Sequence, residues 1–251
     1  FKKDQSFFVP LAQKQYRVIE ALFKRQTSFK DPTFYDVSGW TLPLAMNIEH
    51  KQVKRKRSLK LAKQAWQESK EHTNNTLDHN AQAYVFSWED MKAPSLLNKL
   101  LTNNIKVRVS NKPFTASNNA TDKQFAIGSI VINAALQTQN NWQQLVEKAA
   151  NDTGIELFNI TTGLTVAGPD LGSRSMSPVK KVKALMIGGK PVSQYEAGSM
   201  SYYFDEILSM PLTIIDMANL SRIDLSQYTH IIMVDGRYSA LSESTETQLS
   251  H

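Results

Sequence analysis

The run Lys183-Ala184-Leu185-Met186-Ile187-Gly188-Gly189 is an apolar strand pattern closed by two glycines, with a helix expected to begin near Ser199. At the carboxyl end of a parallel strand, paired glycines let backbone N–H groups approach an anion or a developing oxyanion. The same two residues also make an ordinary tight turn. Asp216, Asp235 and Gly236 fall at the ends of the next two apolar runs and are expected to rim the same crevice. Gly188, Gly189, Ser199, Asp216 and Asp235 therefore form a candidate ligand-binding set with acids and a turn but no base. Ser199, in Gly198-Ser199-Met200-Ser201, suits a helix N-cap. As a nucleophile it lacks the Gly-x-Ser-x-Gly frame that exposes a reactive hydroxyl.

Other chemistries leave no trace. The chain has no cysteine, which removes disulfides, thiolate metal sites and thiol nucleophiles together. His50, His72, His79, His230 and His251 occur in none of the His-x-x-Glu, His-x-x-x-His or His-Glu-x-x-His spacings that hold zinc on one face. Neither a phosphate loop nor a Gly-x-Gly-x-x-Gly turn is present. Glu89 with Asp90, and Asp205 with Glu206, are adjacent in sequence and point apart on regular structure, unlike the facing acids of a glycosidase. No catalytic residue and no metal ligand is expected here. Asn-x-Ser/Thr sequons at Asn74, Asn119, Asn151, Asn159 and Asn219 matter only in a eukaryotic secretory setting.

The elements that must position the candidate turn follow from periodicity. Residues 10–25 place Leu11, Val18, Ile19, Leu22 and Phe23 at helical spacing, with Pro10 fit for a first turn. An irregular stretch anchored by Phe34, Tyr35 and Trp40 comes next, then a basic and polar one. From Ala83 short apolar runs alternate with helical patterns: strands over 83–88, 105–109 and 125–133, helices over 94–101 and 142–151. A turn-rich stretch, 163–178, separates these from strands over 182–187, 212–216 and 230–234, with a helix over 199–208. Such alternation predicts a mainly parallel sheet with helices on both faces. The expected division is an adjoining segment 1–50, a linker 51–81 and an α/β domain 82–251. The last residues carry no apolar period.

Composition bounds the class. Hydrophobic residues make up 41% and charged residues 21%, which excludes wholesale disorder and coiled coil. No apolar run approaches the roughly 18 residues of a membrane span. Much of the net charge of +6 sits in Lys51, Lys54, Arg55, Lys56, Arg57, Lys60 and Lys63. Such a run is either a solvated face or an anion-binding patch. Without interleaved aromatic residues to stack on bases, nucleic acid is disfavoured as a partner.

Three stretches resemble a known family. Phe34-Tyr35-Asp36-Val37-Ser38-Gly39-Trp40-Thr41-Leu42-Pro43-Leu44 is similar to a segment downstream of the catalytic domain in large bacterial zinc carboxypeptidases. Ala126-Ile127-Gly128-Ser129-Ile130-Val131-Ile132 resembles a later part of those proteins. So does Gly163-Leu164-Thr165 with Gly168-Pro169-Asp170-Leu171-Gly172-Ser173, the whole covering residues 7–235 in order. The resemblance implies a parent metallopeptidase, a hydrolase that removes C-terminal residues from peptides with a zinc-activated water. Its catalytic domain is expected before Phe1, holding the zinc and serving as this region's partner, with peptide as a further ligand. The resemblance also implies a class I glutamine amidotransferase-like, flavodoxin-like fold, whose nucleophilic cysteine this chain lacks. The expected role is a noncatalytic accessory domain, periplasmic or secreted. The alternative is a free-standing α/β module that binds a small anion at the glycine turn.

Overall fold

The computed structural model describes residues 6–25, 41–46, 48–54, 75–239 and 241–250. Phe34, Tyr35 and Trp40, the basic residues Arg55, Lys56, Arg57, Lys60 and Lys63, and also His72 and His251 lie outside them. The chain divides into two compact units, Phe1–Glu71 and His72–His251.

In the first unit, α1 (Tyr16–Phe23) is shorter than the helix expected over 10–25, and none of its residues is buried. Pro10 precedes it, its carbonyl accepting a 2.6 Å hydrogen bond from the Gln13 side chain. Phe23 meets the His50 ring edge-on at 5.7 Å. Thr41, just before α2 (Leu42–Ala45), adopts a left-handed conformation and donates its hydroxyl to the Lys24 carbonyl at 2.6 Å.

The second unit has two parts. Its first sheet comprises β1 (Ala83–Phe86), β2 (Arg108–Ser110), β5 (Ile130–Asn133), β6 (Phe158–Ile160) and β7 (Met176–Pro178), in the order β6-β1-β5-β2-β7. Every neighbouring pair is antiparallel. The mainly parallel sheet expected from Ala83 is therefore corrected. The two helical crossovers, α3 (Ala93–Thr102) between β1 and β2 and α4 (Trp142–Thr153) between β5 and β6, do join parallel strands. Each crossover skips the strand contributed by the other, so the neighbours run in opposite directions, the pattern of a split βαβ.

Both helices pack against one face through Leu96, Leu100, Val146 and Ala150, which meet Tyr84, Phe86, Ile130 and Ile132. The opposite face is covered by a hairpin, β3 (Phe114–Ser117) and β4 (Asp122–Phe125), with Phe114 stacked on Phe125 at 5.1 Å. Residues 163–178, expected to separate two sets of strands, belong to this part. Ala167 bridges Thr115, Leu171 enters the core and β7 pairs with β2. Gly168 is required where this segment crosses β3: its φ is +87°, and a Cβ would lie 2.6 Å from the Pro113 carbonyl oxygen.

The stretch from Asn75 to Ala81, assigned by sequence to the linker, is also built into this unit, with Leu77 and Ala81 in its core. Asn75 is buried and acts as a clasp. Its Nδ2 donates to the Ile155 carbonyl at 2.8 Å and to Asn151 Oδ1 at 3.2 Å, while its Oδ1 accepts from the Leu157 amide at 2.8 Å.

The second part is a parallel sheet of β8 (Ala184–Gly188), β9 (Leu212–Asp216) and β10 (His230–Met233), in the order β10-β8-β9. Central β8 is buried along its length, as the continuous apolar run requires of a parallel strand covered on both sides. Helix α5 (Gln194–Tyr202) crosses from β8 towards β9 and continues as a wider π turn over Tyr203–Ile207. A final helix, α6 (Glu243–Ser250), forms where the sequence has no apolar period. The chain is thus mixed α/β, with an antiparallel and a parallel sheet. Asn98 on α3 links the two parts, its amide donating to the Ser209 carbonyl at 2.8 Å and to that of Leu208 at 3.3 Å.

Candidate functional site

Gly188 and Gly189 do end the central parallel strand, between the carboxyl ends of β9 and β10. Gly188 is buried, and a side chain there would press on the Ile214 methyl at 3.1 Å. Gly189 has a φ of +76°, and its α-carbon faces the carboxylate of Asp216 with no room for a Cβ. The chain then passes a cis Lys190–Pro191 peptide bond and bridges across to β10's end, where Val192 pairs with Gly236 and the Ser193 amide donates to the Asp235 carbonyl at 2.8 Å.

The helix after the turn starts earlier than expected. Ser193, not Ser199, is the N-cap, its hydroxyl accepting from the Glu196 amide at 3.4 Å. Ser193-Gln194-Tyr195-Glu196 has the Ser-x-x-Glu spacing of a capping box, the sequence feature that identifies this start. Ser199 lies inside α5, exposed, and donates to the Tyr195 carbonyl at 3.0 Å, as hydroxyls commonly do within helices. The expected capping role is therefore corrected.

A cleft of about 200 Å³ opens beside the turn, lined by Gly188, Gly189, Ser193, Ala197, Ser201 and Ile214 among others. The turn glycines are brought to it, whereas Ser199, Asp216 and Asp235 do not line it. Asp216 instead caps the turn that follows β9, its carboxylate accepting from the Ala218 amide at 2.9 Å. That carboxylate stands against Gly189, so an anion approaching the glycine turn from this side meets a resident negative charge. Behind Asp235, Tyr238 donates its hydroxyl to the Val234 carbonyl at 2.7 Å. Burial pushes its hydroxyl above the ordinary tyrosine range, and the Asp235 charge adds to the effect.

Among the described residues, no three His, Asp or Glu side chains converge as ligands for a metal, so these residues offer no fit to a zinc ion. No helix among them is long and apolar enough to cross a membrane. Of the resemblance motifs, the Gly163 to Ser173 segment is used in the fold, with Gly168 crossing β3 and Asp170 accepting from the Thr165 amide at 2.8 Å. No protein-family model, curated protein or solved structure matches the chain.

Proposed function

We propose that the chain is a noncatalytic accessory module of a bacterial zinc carboxypeptidase, exported with it and packed against its catalytic domain. The resemblance of three ordered stretches motivates the reading. The observation that carries it is the strand order β10-β8-β9, with the chain's first parallel strand in the centre and a glycine turn at its end. This is the opening of a 2-1-3 doubly wound sheet, in keeping with a flavodoxin-like, amidotransferase-like half. At that turn the side chains that chemistry would need are engaged in folding: Ser193 caps α5, Asp216 caps the turn after β9, and Ser199 binds the backbone of its own helix. With no cysteine in the sequence, such a fold here retains the scaffold without the thiol. The carboxylate against Gly189 counts against the alternative, capture of a small anion at the turn.

Two assays test the proposal. The purified 251-residue chain, given zinc, is expected to release no C-terminal residues from unblocked peptides and to hold no stoichiometric metal. The natural protein, captured from its source with an antibody against the second unit, is expected to release them in a chelator-sensitive reaction. Turnover with bound zinc in the isolated chain overturns the noncatalytic assignment. An inactive, zinc-free natural protein overturns the carboxypeptidase assignment.

A further inference from the structure

The free edge of the parallel sheet has the character of a docking strand. Among the described residues, β9 pairs with β8 and with no other strand, leaving one row of its backbone groups without a ladder partner. Its sequence, Leu212-Thr213-Ile214-Ile215-Asp216, is strongly strand-forming and contains no Pro, Lys or Arg, the residues that commonly blunt an exposed edge. Beside it runs a groove of about 430 Å³ lined by Tyr202, Asp205, Glu206, Met210, Leu212 and Ile214. Ile214 is 51% exposed and Tyr202 62%. The π turn places both Asp205 and Glu206 on this groove, although adjacency in sequence predicts that they point apart. No cationic side chain lines it, and no ion pair joins either acid to a described residue.

We propose that the β9 edge binds an extended basic segment of a partner protein, which adds as a further strand. Its backbone would pair with β9, and the Lys or Arg side chains on its groove-facing side would lay their methylene stems over Leu212 and Ile214 and carry their charges to Asp205 and Glu206, the intervening residues pointing to the other face. Strand addition takes affinity from main-chain hydrogen bonds and selectivity from alternate side chains, and this edge offers both. Charge selects the occupant. Two copies pairing through β9 would bring the same carboxylates together, whereas a basic strand removes that repulsion. The inference does not depend on the carboxypeptidase reading.

The test uses the full chain and a fluorescein-labelled hexapeptide of alternating lysine and valine, read by fluorescence anisotropy at low and high salt. Saturable binding is expected. It should weaken roughly tenfold when Asp205→Asn and Glu206→Gln are combined, the sum of two exposed charge pairs. It should be lost when every amide of the peptide is N-methylated, which removes the donors a new strand needs. Equal binding by the methylated peptide overturns strand addition, as does absence of binding up to millimolar peptide. Equal binding by the doubly substituted chain overturns the charge selection. A concentration-dependent dimer of the chain, abolished by Ile214→Lys, would assign the edge to a second copy and overturn the proposal.

Discussion

The α-carbon of Gly189 lies against the carboxylate of Asp216, so the end of the central parallel strand and the end of its neighbour are fitted to each other. Two constraints meet at this glycine: a left-handed φ and a space filled by an acid. Gly189→Ala is expected to lower stability by about 2 kcal/mol or more, from backbone strain plus the displaced carboxylate. In the Gly189→Ala, Asp216→Ala double variant the steric part vanishes, and the two losses should sum to more than the double variant's loss. Urea titration followed by circular dichroism measures both. Strict additivity would mean that the carboxylate is not what excludes a side chain.

Asn75 binds both the loop after α4 and the approach to β6. Asn75→Ala leaves the Leu157 amide and the Ile155 carbonyl without their partner in a buried setting, at a cost of about 2–3 kcal/mol. Asn80→Ala, on an exposed side chain of the same segment, should change stability by less than about 0.5 kcal/mol. Similar losses for the two would show that the clasp contributes nothing specific.

Tyr84 is fully buried, donates to the Asp78 carbonyl at 3.0 Å and accepts from the Gln143 amide at 3.0 Å. Burial pushes its hydroxyl above the usual tyrosine value, with Asp78 and Glu147 adding to the rise and Gln143 opposing it. The neutral phenol is therefore the form the fold favours. Its contribution is fully present below the ordinary value near 10 and is lost as pH rises through the higher folded-state value. Tyr84→Phe should cost about 1 kcal/mol at pH 7 and less at pH 11. A cost that stays constant across that range would rule out the coupling.

The antiparallel and parallel parts of the second unit are joined at Asn98. Asn98→Ala should speed amide hydrogen exchange over Phe204 to Met210 at least tenfold while leaving β1 and β5 protected. Uniformly faster exchange in both parts would show instead that α3 itself is unstable without this side chain.

Where the sequence pattern is local, it was legible. α3, α4, β8, β9 and β10 announce themselves by periodic or continuous apolar residues that one element alone must bury. Strand order is a different kind of information. Nothing in β1 or β5 says that each will lie in the gap left by the other's crossover, so the alternation of strand and helix read as a parallel sheet. The hairpin β3–β4 carries no apolar pattern to announce it, because Asp122, Lys123 and Gln124 face solvent. At the candidate site the glycine turn was legible from residue types. Ser199 fits a cap by residue type alone, whereas the cap at Ser193 is marked by the Ser-x-x-Glu spacing to Glu196. That Asp216 would stand against Gly189 depends on the register of β8 on β9, which no local pattern contains.

The interleaved strands also govern the order in which the chain can fold as it is made. β1 is flanked by β5 and β6, both of which are synthesised after it, so it cannot gain both neighbours until Ile160 has left the ribosome, and the sheet is complete only when β7 follows. Until Asn133 is made, Tyr84, Val85 and Phe86 have no ladder partner, and they depend on α3 or on chaperones to stay out of aggregates. β8 and β9 need only the short span from Ala184 to Asp216 to meet. The parallel part should thus form quickly from local contacts, while the antiparallel part waits on contacts distant in sequence.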